Sequence, residues 1–118
     1  MANPNIATAS TILGVTQGAT LTTSYADVIT AVPSNTVYKL NSISVANKTA
    51  SAATVDVRIY TSGSDVFLLA DGINVPAETT LVVLTKDQGL YINDAGKVNA
   101  LASANSTLDI LCSYESIA

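Results

Sequence analysis

Hydrophobic and polar residues alternate without a break through Thr54-Val55-Asp56-Val57-Arg58-Ile59-Tyr60. Successive side chains of a strand point to opposite faces, so Val55, Val57 and Ile59 share one face and Thr54, Asp56, Arg58 and Tyr60 the other. The last segment, Thr107-Leu108-Asp109-Ile110-Leu111-Cys112-Ser113-Tyr114, repeats the pattern, with Leu108, Ile110, Cys112 and Tyr114 on one face. Both read as strands lining a core, and helical spacing of apolar positions is hard to find anywhere in the chain.

Departures from alternation carry information too. In Val37-Tyr38-Lys39-Leu40-Asn41-Ser42-Ile43-Ser44-Val45 the apolar phase set by Tyr38 and Leu40 shifts to Ile43 and Val45. That shift predicts a β-bulge near Asn41-Ser42, and a bend there would let one long strand serve two sheets. Val66-Phe67-Leu68-Leu69 and Leu81-Val82-Val83-Leu84 are continuously apolar, the pattern of strands covered on both sides. In the second run one parity, either Leu81 with Val83 or Val82 with Leu84, is expected inside, with the other beneath a neighbouring element or subunit. Val98 to Ala102 reads as a weaker strand of small residues.

Turn signals separate these runs at Pro33-Ser34-Asn35, Asn47-Lys48-Thr49, Ser62-Gly63-Ser64-Asp65, Asp71-Gly72, Pro76-Ala77-Glu78, Lys86-Asp87-Gln88-Gly89 and Asn93-Asp94-Ala95-Gly96. The expectation is an all-β chain: an antiparallel β-sandwich of jelly-roll type, with roughly eight strands from about Val37 onward plus N-terminal segments. Residues 1–10 lack core-like patterning and read as an extended N-terminal arm, leaving 11–118 as a single domain.

Composition changes the picture of the surface. Charged residues make up only 12% of the 118 residues, about half the usual ~25%. Thr, Ser, Asn and Ala must therefore build the exterior, which suits close contact between subunits better than monomer solubility. With a net charge of -4 and five scattered basic residues, the chain has no stripe for phosphate and is not expected to bind nucleic acid. No apolar run approaches the roughly 18 to 20 residues of a spanning helix, so no membrane partner is expected. The opening MANPNIATAS does not read as a secretory signal, and a single cysteine excludes an internal disulfide; both fit folding in a cytosol. Asn47-Lys48-Thr49 and Asn105-Ser106-Thr107 match the glycosylation pattern by chance in so Asn/Thr-rich a chain.

The inventory for chemistry is thin. There is no histidine, which removes the commonest general base and zinc ligand together. Cys112 shares its parity with Leu108, Ile110 and Tyr114 and reads as a buried structural thiol rather than a nucleophile. Asp65, Asp71, Glu78, Asp87 and Asp94 fall in turns, where solvated roles outweigh acid-base work. Neither Asn93-Asp94-Ala95-Gly96 nor Asp71-Gly72-Ile73-Asn74 has the spaced acids of a calcium loop, and the glycines are isolated at turns rather than set to cradle phosphate. No catalytic residue, cofactor or metal site is expected. Tyr25, Tyr38, Tyr60, Tyr91 and Tyr114 are placed at core edges or subunit contacts, where a ring buries area while its hydroxyl stays wet.

The order VYKLNSISVAN, ATVDVRIY, VPAETTLVVL and GLYINDAGKVNALASANSTLDILCSYE, with the opening MANPNI, resembles small virion structural proteins of tailed bacteriophages, particularly those infecting cyanobacteria. The resemblance is strongest from Val37 to Glu115. It implies a non-enzymatic particle component, without saying which part of the particle. Taken with the low charge and the composition of the arm, the expectation is a capsid decoration or cement protein, which as a homotrimer would bind the outer surface of the major capsid protein shell and stabilise it on the virion. The contacts expected are Asn3, Pro4, Asn5 and Ile6 of the arm, then Thr80, Val82 and Leu84. Alternative readings are a tail, neck or fibre component, and a carbohydrate-binding β-sandwich using Tyr25 or Tyr91 as an aromatic platform.

Overall fold

The computed structural model describes residues 8–62, 65–88 and 90–118. Among the described residues nine strands run in chain order: β1 (Ile12–Thr20), β2 (Ala26–Ile29), β3 (Val37–Asn47), β4 (Ala53–Ser62), β5 (Asp65–Val75), β6 (Thr80–Leu84), β7 (Leu90–Ile92), β8 (Lys97–Ala102) and β9 (Leu108–Ile117). A short 3-10 turn lies at Lys86–Gln88. Every strand pair is antiparallel.

Two sheets result. Sheet A runs β1-β9-β3-β6, with β7 pairing β3 alongside β6, and sheet B runs β2-β8-β4-β5. Apart from the β4–β5 hairpin and the β6–β7 pair, successive strands exchange between the sheets as in a jelly roll, so the expected all-β sandwich is what forms. The core lies between the sheets. Val55, Val57 and Ile59 of β4 face Leu108, Ile110, Cys112 and Tyr114 of β9 across it, all buried, as alternation requires.

The bulge expected in β3 is present. Leu40 pairs with Tyr114 and Ser42 with Ser113, so Asn41 is the extra residue that resets the phase to Ile43 and Val45. It does not carry the strand into a second sheet, however. β3 stays in sheet A throughout, and its second edge is divided instead between β7, opposite Tyr38 to Leu40, and β6, opposite Ile43 to Ala46.

Two further corrections concern the continuous apolar runs. In β6, Ile43 pairs with Leu84 but Ser44 with Val82, so Val83 is skipped. Leu81 and Val83 pack on the core, Leu84 is fully buried, and Val82 is exposed. The Leu81–Val83 parity is therefore inside, but the other pair is split: the skip at Val83 turns Leu84 inward as well and leaves Val82 uncovered. In β5, Val66, Phe67 and Leu68 are exposed rather than covered on both faces. That strand is the outer edge of sheet B, where continuity of apolar residues does not signal a central position.

The ends of the sandwich are closed by backbone contacts. Val32 donates to the Gly96 carbonyl at 2.8 Å and accepts from Ala95 at 3.0 Å, while Asn93 donates to the Thr61 carbonyl at 2.8 Å. Gly96 is required there: a Cβ would lie 2.6 Å from the Tyr60 carbonyl oxygen and within 2.9 Å of two more. At the other end, Asn47 is buried and uses its whole amide. Its Nδ2 donates to the carbonyls of Ser51 and Val75, and its Oδ1 accepts from the Thr49 backbone and hydroxyl. Asn47 is thus a structural clamp, which explains the apparent glycosylation pattern.

Candidate interaction surface

The outward parity of sheet A forms a surface of small residues. Its registers align Gly18, Leu111, Ser44 and Val82 in one row across four strands, and Thr20, Asp109, Ala46 and Thr80 in the next. Short side chains leave a shallow groove of about 550 Å³ along these rows. Leu111 and Val82 stand on either side of Ser44, 52% and 57% exposed. Leu111 reaches over its cross-strand neighbour Gly18, and it and Val82 are the large apolar side chains left in solvent along this row.

A polar rim borders the groove. The Thr20 hydroxyl donates to Asp109 Oδ1 at 2.7 Å, and Lys48 Nζ sits 3.1 Å from the same oxygen. These two donors, Thr20 first, hold the Asp109 carboxyl below its ordinary pKa, because both stabilise the ionised form.

The outward face of sheet B is different in chemistry. The Arg58 guanidinium lies 3.4 Å from the centre of the Tyr25 ring and 5.7 Å from that of Tyr60, and its Nε donates to Asn99 Oδ1 at 3.0 Å. Asn99 donates in turn to Asp27, which pairs with Lys97 at 3.5 Å. This face is tied together internally, and Tyr25 is covered by Arg58 rather than standing as a bare platform. On sheet A, Tyr91 of β7 is exposed. Tyr38 and Tyr114 stack at 4.6 Å between centroids.

Cys112 is fully buried, and burial pushes its thiol up to about 12, where no thiolate forms near neutral pH. Among the described residues no group of three or more acids, cysteines or histidines converges on one point.

No family model and no curated protein matches the sequence. Solved structures do match the fold. A protein of the infectious bursal disease virus Gx strain superposes with a TM-score of 0.54 at 9% identity, covering 92% of this chain and 32% of that one. The VP2 protein of infectious bursal disease virus in derived T=1 particles gives 0.51 at 8% identity, over 92% and 36%. A subunit of the disulfide-linked pili that form Bacillus endospore appendages gives 0.50 at 16% identity, over 91% and 86%. The chain therefore spans about a third of the length of the virus proteins it matches and most of the length of the pilus subunit. At such identities the shared property is the fold, a jelly-roll-like β-sandwich of the kind found in a virus particle and a pilus.

The expected contact residues scatter on inspection. Asn3, Pro4, Asn5 and Ile6 lie outside the described residues. Thr80 and Val82 are exposed on the outer face of sheet A, whereas Leu84, grouped with them by parity, is in the core. Leu111, Ser44 and Gly18 join Val82 in the surface row and were not singled out from the sequence. The signal for Leu111 was available: in Leu108 to Tyr114 it is the large apolar residue on the parity opposite the core.

Proposed function

We propose that the chain is a non-enzymatic capsid decoration protein, which binds the outer surface of an assembled major capsid shell as a homotrimer and stabilises it on the virion. The observation that carries this reading is the exposed Leu111–Ser44–Val82 row on an otherwise small-residue sheet face. Supporting it are the low charge, the sequence likeness to phage virion proteins and a fold of the type used in a viral particle. At about 25 cal/mol per Å² of apolar surface, a contact of ~800 Å² per partner is a large gross term even before the cost of association. Many equivalent contacts on a shell then add by multivalency.

Asn3, Pro4, Asn5 and Ile6 supply a second contact in this reading. Removing residues 1–7 leaves the hydrogen bond from the Ser10 amide to the Ala118 carbonyl in place and so should spare the domain. Co-sedimentation with expanded shells of the major capsid protein tests both parts. The full chain is expected to pellet with shells and the truncated chain to lose most binding; a full chain that stays in the supernatant overturns the decoration role.

A second reading, a tail or fibre component, is favoured by the near full-length match to a pilus subunit. Labelling intact virions separates the two. Hundreds of copies over the head support decoration, and a few copies at one vertex support the tail.

A further inference from the structure

The two sheets treat their edges differently. Sheet B ends in strands that carry acids, Asp27 on β2 and Asp65 and Asp71 on β5. Sheet A ends in β1 on one side and β6 with β7 on the other, and the sequences ILGVTQGAT, TLVVL and LYI contain neither a charge nor a proline. Charges and prolines are among the devices that keep an open edge from pairing with another chain, and the edge strands of sheet A carry neither; β1 is nine residues long, while β6 and β7 are short and β6 is bulged.

The edges also match in direction and level. β1 runs antiparallel to β9, β9 to β3, and β3 to β6 and β7. It follows that β1 is antiparallel to β6 and β7, so a second copy set beside the first by a lateral step would continue sheet A in the ordinary antiparallel way. Through their registers Leu13 and Ile92 lie at one level on opposite edges, as do Val15 and Leu90.

Apolar surface is exposed at that level on both sides. Leu13 has the inward parity of half-buried Val15, yet it is 57% exposed. On the opposite edge an apolar cleft of about 190 Å³, lined chiefly by Ile59, Phe67, Leu69 and Leu90, opens between β5 and β7. Phe67 pairs with inward Ile59 but is itself 62% exposed.

We propose that copies of this chain associate head to tail through these edges: β1 of one copy pairs with β6 and β7 of the next, and Leu13 of the first fills the cleft beside Phe67 and Leu90 of the second. A contact of this kind is heterologous, joining different patches on the two copies, and it builds rings or filaments rather than a two-fold dimer. The contact does not rest on the decoration role. Loss of shell binding with self-association intact counts against that role alone, and the reverse counts against this contact alone.

Complementary variants test it by native mass measurement of the full chain. Leu13→Lys damages one edge and Phe67→Lys the other; both side chains are exposed, and thermal unfolding checks that each variant folds. Gly14→Lys is a second β1 variant, since a Cβ there meets nothing within 4 Å. The wild-type chain is expected above its monomer mass of 12.1 kDa at high micromolar concentration, and each variant alone at the monomer mass. An equimolar mixture of the two is expected to give a 1:1 dimer, because one undamaged pair of edges remains. A monomeric wild type, a single variant that keeps the wild-type mass, or a mixture that stays monomeric overturns the proposal.

Discussion

Asn47 Nδ2 donates to the carbonyl of Val75 at 3.0 Å, fastening the last residue of β3 in sheet A to the last residue of β5 in sheet B. The same side chain also accepts from the Thr49 amide and donates to the Ser51 carbonyl. Replacing it with alanine leaves several polar groups at a buried position without partners. Asn47→Ala is expected to cost about 2 to 4 kcal/mol, read as a fall in Tm on the order of 10 °C. A fall of less than 2 °C would show that water replaces the side chain freely.

Gly96 is the second stability test. Its hypothetical Cβ meets three carbonyl oxygens of the backbone, which cannot swing aside as a side chain could. Gly96→Ala is expected to destabilise by about 3 kcal/mol in denaturant unfolding. Gly14→Ala, where there is open space, is the control and is expected to be neutral or to stabilise by about 0.5 kcal/mol. Equal effects of the two would refute the crowding assigned to Gly96.

The Cys112 thiol is expected to be silent in the folded protein. It is fully buried, and burial raises its pKa to about 12. A maleimide or disulfide reagent at neutral pH should modify it only on unfolding, at a rate that follows the opened population. Rapid labelling under native conditions would place it outside the core.

The carboxyl of Asp109 supplies a pH test at the rim of the outer groove. Its folded pKa lies below the ordinary value of 3.8, first through the Thr20 hydroxyl and then through Lys48. A depressed pKa contributes stability that is fully present above the unfolded value and lost as pH falls through the folded one. Thr20→Val should therefore move the Asp109 titration upward, as measured by NMR of the side-chain carbonyl, while behaviour above pH 5 or so is unchanged. An unmoved titration would deny the hydrogen bond.

Much of the fold was legible because burial on one face imposes period two. β4 and β9 show it directly, and the phase slip around Asn41 in β3 locates a bulge that the register bears out. The slip at Val83 was hidden, since in a run of four apolar residues a skipped position leaves no mark. Val66 to Leu68 misled for a related reason: continuous apolar character reports a lack of polar residues, and only sheet order reveals that β5 is an edge. The surface row was less legible still. Gly18, Ser44, Val82 and Leu111 are distant in sequence and become neighbours only through pairings of β1, β9, β3 and β6.

Shell binding by the double variant Leu111→Lys, Val82→Lys bears most directly on the proposed role. Both residues are exposed on the outer face, so the variant should fold with an unfolding midpoint close to that of the wild type. Measured by co-sedimentation with expanded major capsid shells, its affinity is expected to fall at least about tenfold, the equivalent of ~1.4 kcal/mol per site. Affinity equal to that of the wild-type chain would contradict the assignment of this face as the shell contact.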